Sequence, residues 1–300
     1  MWGSATTMRI DLHIHSNSSD GRMPLESIFE EAHQREIRLI SITDHDAIDA
    51  QEAAKDLAQR YGMAYIYGLE LNITFSHTEF SKGKGVSLDL LAYQFNIHDG
   101  PLIRKLQDLK AYREKRAERI LEKLNSELFK EKRQPFTHKD LEAIQEAVDG
   151  AFGRPHIAAY MVEKGLVANK QEAFDRYLVK CNVPKMPVSL SEASKLIRKA
   201  GGKLFLAHPN HPRGTSLISL TASLNEQQKI IESAMLPFID GVECWHSAHD
   251  AETTASYIDF AEKRGLMVSG GSDCHQSPLL MGTVDVPPYV AKQFGFDLEP

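Results

Sequence analysis

His13 and His15 lie in the run Arg9-Ile10-Asp11-Leu12-His13-Ile14-His15. On a β-strand, side chains alternate between faces, so Asp11, His13 and His15 are expected on one face. Two imidazoles at the C-terminal end of a strand can converge on one divalent ion through their neutral ring nitrogens. The H-x-H pair alone is weak. Its weight comes from Thr43-Asp44-His45, Gly68-Leu69-Glu70, Ala207-His208-Pro209 and Gly271-Ser272-Asp273-Cys274-His275, each placed after a short apolar run. With Asp20 and Asp89, the candidate ligands are His13, His15, Asp20, His45, Glu70, Asp89, His208, Asp273 and His275. Imidazoles and carboxylates gathered from several strand ends point to a polynuclear metal site, and so to metal-assisted hydrolysis.

Such residues need a scaffold that brings strand ends together. The pattern predicts a strand over Met8–Leu12, a helix over Pro24–Arg35 opened by its proline, a strand over Ile37–Thr43 and a helix over Ala47–Tyr61. Ala64–Leu69 and Val86–Tyr93 read as the third and fourth strands. Strand alternating with helix predicts parallel pairing through right-handed crossovers. From Pro101 to Pro187 the texture becomes helical, with Leu102, Leu106, Leu109, Ile120, Leu121, Leu124 and Leu128 at mostly helical spacing. This is read as a helical cap inserted at 101–187 between barrel segments 8–100 and 188–290, an independent helical domain being the alternative. Beyond it come a helix over Ser191–Lys199, strands over Lys203–Ala207 and Phe238–Cys244, a helix over Ala251–Arg264 stopped by Gly265, and a seventh strand over Leu266–Ser269.

The composition, 42% hydrophobic and 25% charged over 300 residues, is that of a globular protein with ample core. A net charge of −6 argues against an extended nucleic-acid surface, while leaving room for a local basic patch. No apolar run is long enough to span a bilayer. Met1–Thr7 has neither the charged leader nor the apolar core of a secretory signal and reads as a loose extension, so the expected location is cytoplasmic. Cys181, Cys244 and Cys274 are odd in number and lack C-x-x-C spacing, which argues against a disulfide scaffold or a structural zinc knuckle; Cys274 should face away from Asp273 and His275 and be buried.

Taken in order, Asp-Leu-His-Ile-His-Ser, Ser-Asp-Gly, Ile-Thr-Asp-His-Asp, Gly-Leu-Glu, Ala-His-Pro and Gly-Ser-Asp-Cys-His resemble the PHP (polymerase and histidinol phosphatase) family across residues 9–275. Phe152-Gly153-Arg154-Pro155-His156-Ile157-Ala158 resembles the branch with a helical insert. Members of that branch remove phosphate from AMP or nucleoside 3′,5′-bisphosphates, or trim short RNA from its 5′ end. The resemblance implies an α/β fold, a distorted seven-stranded (β/α)7 barrel with a helical cap, and three divalent metal ions (Mn, Fe or Zn). His13, His15, Glu70 and Asp273 would hold the first ion. Glu70 would bridge to a second, shared with His208 and a fourth-strand residue, and Asp20, His45 and His275 would hold the third.

One position departs from that pattern. Relatives carry histidine on the fourth strand, whereas this chain has Ser87-Leu88-Asp89-Leu90. Asp89 as ligand would favour harder ions than an imidazole does; otherwise His77 could serve. Three divalent ions outweigh the four carboxylates and a bridging hydroxide, leaving a positive seat for a phosphoryl group. A hydroxide available near neutral pH would attack phosphorus in line, with no phosphoenzyme.

For the substrate, Arg113 and Arg116 share one helix face, and Arg154 and His156 open another helix. Arginine forks suit bidentate phosphate contacts, as for a second phosphate or a neighbouring nucleotide. His246 ends a strand and is a candidate to orient the phosphate or protonate the leaving oxygen, as His156 is in the cap. Asp11 and Asp44 are expected to fix imidazole tautomers. His33, His98, His138 and His211 belong to no cluster and read as surface residues. The expected activity is phosphate-monoester hydrolysis on a nucleotide or short oligonucleotide, with histidinol-phosphate phosphatase or a non-catalytic metal-binding module as alternatives; the oligomeric state is left open.

Overall fold

β1 (Arg9–Ile14) and β2 (Ile37–Ile42) pair in parallel, and the two-residue β3 (Ala64–Tyr65) pairs in parallel with β2. The computed structural model describes residues 9–146, 154–275 and 279–298. The expected extension Met1–Thr7, Met8, and Phe152-Gly153 of the Gly-Arg-Pro-His run lie outside the described residues. The chain divides into two compact units, one comprising residues up to Ile103 and from Pro187 onward, the other Arg104–Met186.

In the first unit, α1 (Leu25–Gln34) and α2 (Gln51–Arg60) return the chain between strands. Their inner faces, Ile28, Phe29, Ala32, Ala54, Leu57 and Ala58, form one core with Ile14, Ile37, Ile40 and Ile42. Burial of each large apolar side chain contributes about 1.5–3 kcal/mol. Cys274 joins that core, as expected for a residue turned away from Asp273 and His275. A second sheet has the order β4 (Gly68–Phe75), β5 (Val86–Tyr93), β6 (Lys203–Leu206), β7 (Gly241–His246) and β8 (Met267–Gly271).

Two expectations change here. Ala64–Leu69 is two strands rather than one, so the described strands form sheets of three and five instead of a seven-stranded set. The pairing is also mixed: β4 and β5 form an antiparallel hairpin, and β5 and β6 are antiparallel. The Ser76–Gly85 connection is too short for a crossover helix, and a hairpin needs none. Backbone bridges Ile14↔Cys274 and His45↔Glu70, both parallel, join the two sheets at both margins.

The second unit is helical. It contains most of α3 (Gly100–Lys130), then α4 (His138–Glu146), α5 (Arg154–Glu163) and α6 (Lys170–Ala173), the last running into a π-helical turn at Phe174–Leu178. Ile120, Leu121, Leu124 and Leu128 pack with Ile157, Met161, Tyr177 and Leu178 in a core of its own. In the first unit, α7 (Leu190–Lys199), α8 (Leu224–Ala234) and α9 (Ala251–Arg264) precede β6, β7 and β8, and α10 (Tyr289–Gln293) follows. The left-handed Gly265 ends α9 as expected, while α8 and α10 had no counterpart in the sequence reading. Among the described residues no helix is long and apolar enough to cross a membrane.

Candidate metal centre

Strand ends deliver the candidate ligands to one place. His13 is on β1 and His15 follows it; Asp20 sits in the next turn, His45 follows β2, His208 follows β6, and Asp273 and His275 follow β8. Glu70 comes from β4, and Asp89 from the antiparallel β5 opposite Asn72. Gly271 lets β8 and β1 approach: a Cβ there would meet the His13 backbone nitrogen at 2.4 Å. His208 and Asp273 hold positive φ of 25° and 54°, a strained backbone for residues with a Cβ. Backbone hydrogen bonds oppose that strain: Asp273 N–H donates to the His13 carbonyl at 2.8 Å, and His208 N–H to Glu243 Oε2 at 2.7 Å.

Glu70 is the hub. Its Oε2 lies 3.4 Å from His13 Nε2, 3.1 Å from His15 Nε2 and 3.3 Å from His45 Nδ1, and its Oε1 lies 3.1 Å from His208 Nε2. Asp273 Oδ1 stands 3.3 Å from His13 Nε2 and 3.2 Å from His15 Nε2. Ligand atoms of His13, His15, Glu70 and Asp273 fall within 4.8 Å of one another, as do those of His15, Asp20, His45 and His275, and those of His45, Glu70 and Asp89. Asp89 Oδ2 is 4.0 Å from His208 Nε2, and Asn72 Nδ2 donates to its other oxygen at 2.6 Å.

The electrostatics are those of packed opposite charges. Burial alone would lower the His13 imidazole, yet the carboxylates of Glu243, Asp273 and Glu70 hold it well above its ordinary value. His15 is raised against burial by Asp273 and Glu70. Burial opposes charge on Glu70 and Asp273, and the surrounding imidazoles nonetheless keep both well below the usual carboxylate range. Burial, reinforced by Glu70, pushes Asp89 up to about 6.

The donor set fits divalent ions. His13 Nε2 and His15 Nε2 are buried and make no hydrogen bond, although carboxylate oxygens stand around them. His13 Nδ1 is bonded to Glu243 Oε1 at 2.9 Å; with one ring proton kept there, loss of the other would leave Nε2 a lone pair for an ion among the oxygens of Glu70 and Asp273. Lone pairs on imidazole and carboxylate face one another comfortably when a cation stands between them.

Several expectations need correcting. Asp11 accepts backbone N–H groups of Ser272 and Gly282, and Asp44 accepts from Ser16 and Ser19; neither touches an imidazole. The imidazole partner is Glu243, which the sequence reading missed, although a carboxylate inside Gly241-Val242-Glu243-Cys244 is the same signal that singled out Asp89. His77 stacks on Phe80 in the β4–β5 connection and accepts from Glu79 N–H; it belongs to none of the clusters among the described residues.

His211, read as a surface residue, packs with its ring 5.7 Å from His208 and 5.4 Å from His246. Burial and those two imidazoles lower it to about 4. His246 ends β7 with its side chain wholly buried; Nδ1 accepts from Ala248 N–H and Nε2 faces Asp273 Oδ2 at 3.3 Å. His249 Nδ1 donates to the Cys244 carbonyl.

Within the helical unit, Arg116 is buried. Its Nε donates to the Val183 carbonyl at 2.6 Å and its Nη2 to Asn182 Oδ1. Burial lowers its basicity, and the charges of Arg154 and Arg113 lower it further, so the three cations are neighbours. Arg154 donates to the Leu178 carbonyl and lies over the Phe174 ring, and His156 is half-buried in the first turn of α5.

Similarity to known proteins agrees with this arrangement. A 5′-3′ exoribonuclease of Haemophilus influenzae is 30% identical over 210 residues, covering 68% of this chain and 69% of that protein. A 3′,5′-nucleoside bisphosphate phosphatase of Chromobacterium violaceum is 27% identical over 280 residues, covering 89% and 87%. A solved structure from Bifidobacterium adolescentis, described as a metal-dependent phosphoesterase, superposes with a TM-score of 0.76 at 26% identity over 97% of this chain and 98% of its own. The PHP domain family matches residues 11–181, more than half of the chain, and the chain belongs to that family.

Proposed function

We propose that this protein is a metal-dependent phosphoesterase that removes phosphate from a nucleotide: AMP, a nucleoside 3′,5′-bisphosphate or the 5′ end of a short RNA. The observation that carries the reading is the convergence of His13, His15, Glu70 and Asp273, with two buried imidazole nitrogens left without hydrogen bonds. The names of the relatives, a bisphosphate phosphatase and an exoribonuclease, support the substrate class. On this reading the two sheets act as one distorted seven-stranded (β/α)7 barrel, with β3 as a side strand and the bridged margins as support.

His13, His15, Glu70 and Asp273 would hold a first ion, Glu70, His208 and Asp89 a second, and Asp20, His45 and His275 a third. Bound Mn, Fe or Zn ions supply a hydroxide near neutral pH and neutralise charge on the phosphoryl oxygens. The chain's own residues do the positioning. Glu243 orients His13, Asn72 orients Asp89, and His246 holds Asp273 through Nε2. Because both nitrogens of His246 are engaged, we assign it to orientation of that carboxylate rather than to protonation of the leaving group. Arg113, Arg116, Arg154 and His156 are the groups we propose for the second phosphate or next nucleotide, supported by the mutual proximity of the three arginines.

The test is phosphate release from AMP, a nucleoside 3′,5′-bisphosphate, a 5′-phosphorylated short RNA and histidinol phosphate, with Mn²⁺ supplied. Release from the nucleotides, abolished by Asp273→Asn, is the expected result. Preference for histidinol phosphate would overturn the substrate class. Failure on all four with metals bound would overturn the enzymatic reading.

A further inference from the structure

The chain turns tightly after β6. His211 N–H donates to the His208 carbonyl at 3.0 Å, which folds the His211 ring back beside the rings of His208 and His246. Those two neighbours are the arms that meet Glu70 and Asp273. The mount is stiff. Ser216 Oγ donates to the His211 carbonyl at 2.7 Å, and Asn210 is fixed between Thr253 and Gln227. Gly214 makes room for the ring, since a Cβ there would stand 2.9 Å from both Cγ and Nδ1 of His211.

The tautomer follows from a donor that cannot be reversed. Arg213 N–H donates to His211 Nδ1 at 3.0 Å, so Nδ1 carries the lone pair and the ring proton is on Nε2. Nε2–H has no acceptor among the described residues, and the ring is half-buried. The adjacent His246 cannot serve in its place, because its nitrogens are taken by Ala248 and Asp273 inside the core.

We propose that His211 contacts the substrate, its Nε2–H donating to a non-bridging phosphoryl oxygen of the ester being cleaved. This rests on the phosphoesterase reading above. No bond is made or broken at the imidazole, and the proton stays on Nε2. The fixed donor fits the planar, in-line arrangement of equatorial oxygens in the transition state better than the tetrahedral ground state, which makes it catalytic rather than merely binding. The proton for the departing oxygen comes from solvent water.

The experiment compares the Mn²⁺-loaded full chain with His211→Ala and His211→Gln, the latter retaining an N–H donor. Metal content, melting temperature, kcat and KM on AMP, and orthovanadate affinity by calorimetry are measured for each. Expected for His211→Ala are unchanged metal content and melting temperature, a loss of about 10²-fold in kcat with a smaller change in KM, and a matching loss of orthovanadate affinity. His211→Gln should recover part of both. An unchanged kcat or an unchanged orthovanadate affinity in His211→Ala would overturn the proposal. So would loss of bound metal, which would make the ring a support for His208 instead. If the wild-type chain binds orthovanadate but hydrolyses no nucleotide, the substrate reading fails while the orthovanadate comparison still decides for or against His211.

Discussion

Glu243 and His13 form a buried pair, Oε1 to Nδ1 at 2.9 Å, between side chains with no solvent exposure. The other Glu243 oxygen accepts the His208 N–H at 2.7 Å. One carboxylate on β7 thus fixes the ring of a candidate ligand on β1 and the strained backbone of another after β6. Since His13 is proposed for the first ion and His208 for the second, Glu243 sets the separation of the two arms.

Glu243→Gln should therefore weaken metal retention without touching an ion. An amide keeps the shape but can satisfy only one of the two donors as an acceptor. Loss of such an outer partner typically costs 10–100-fold in metal affinity or activity. Metal content after dialysis against graded chelator is the measurement. Retention equal to wild type would show that His13 and His208 hold their places without Glu243.

Asp89 is held by Asn72, whose own Oδ1 accepts from Ser87 Oγ at 2.9 Å, so the amide presents its N–H₂ to the carboxylate. A carboxylate here favours oxygen-preferring ions, and an imidazole would favour zinc. Asp89→His is expected to raise the zinc-to-manganese ratio bound from an equimolar mixture. Asn72→Ala should lower total occupancy by freeing the Asp89 side chain. Elemental analysis of the purified variants reads both; an unchanged ratio in Asp89→His would remove Asp89 from the ligand set.

Acidity should act in opposite senses on the metal-free and metal-loaded protein. Burial would lower His208, yet Glu70, Asp273 and Asp89 raise it from 6.5 to about 9. A raised folded-state value stabilises fully below pH 6.5, and that contribution is lost as pH rises through about 9; it is on the order of 3 kcal/mol. Glu70 and Asp273 are lowered, so their contribution is present above the unfolded carboxylate range and lost on acidification. The metal-free chain should thus melt at falling temperatures from pH 6.5 to 9.5. Added Mn²⁺ should reverse that slope, because ligation needs deprotonated imidazoles. Melting curves across this range decide the point, and a metal-free melting temperature that rises with pH would contradict it.

Most of the centre was legible because its chemistry is written in residue type. Histidine and carboxylate just past apolar runs need no tertiary information to be noticed, and every one of the nine candidate ligands except Asp20, from Ser-Asp-Gly, and Asp89 came from such a motif. Asp11, Asp44 and Glu243 show the limit. All three are acids beside or within strands, and only their folded partners separate Asp11, which holds backbone N–H groups, and Asp44, which holds two serines, from Glu243, which holds an imidazole. His211 was read as a surface residue because its place beside His208 and His246 depends on a turn closed by its own N–H, not on periodicity. In the fold, the β4–β5 hairpin escaped because alternation of strand and helix was extended across a connection that holds no helix.

Gly271 tests whether strand approach is what builds the site. A methyl group there would lie 2.4 Å from the His13 nitrogen, 2.5 Å from its Cβ and 2.9 Å from Asp11 Oδ1. The two closest atoms belong to the β1 main chain or are fixed to it, and Asp11 Oδ1 is held by the Ser272 N–H, so β1 and β8 must separate to admit it. The separation would move His13 away from Asp273 and stretch the bond from Asp273 N–H to the His13 carbonyl. Gly271→Ala should then lose metal affinity and melt several degrees lower, a destabilisation on the order of 1–3 kcal/mol, the usual cost of overpacking. A Gly265→Ala control strains only a helix end, where φ is 63° and open space surrounds the added Cβ. It should lower the melting temperature while leaving metal affinity intact. If the two variants lose metal equally, metal loss reports general destabilisation; if only Gly271→Ala does, the close approach of β1 and β8 is what sets the spacing of His13 and Asp273.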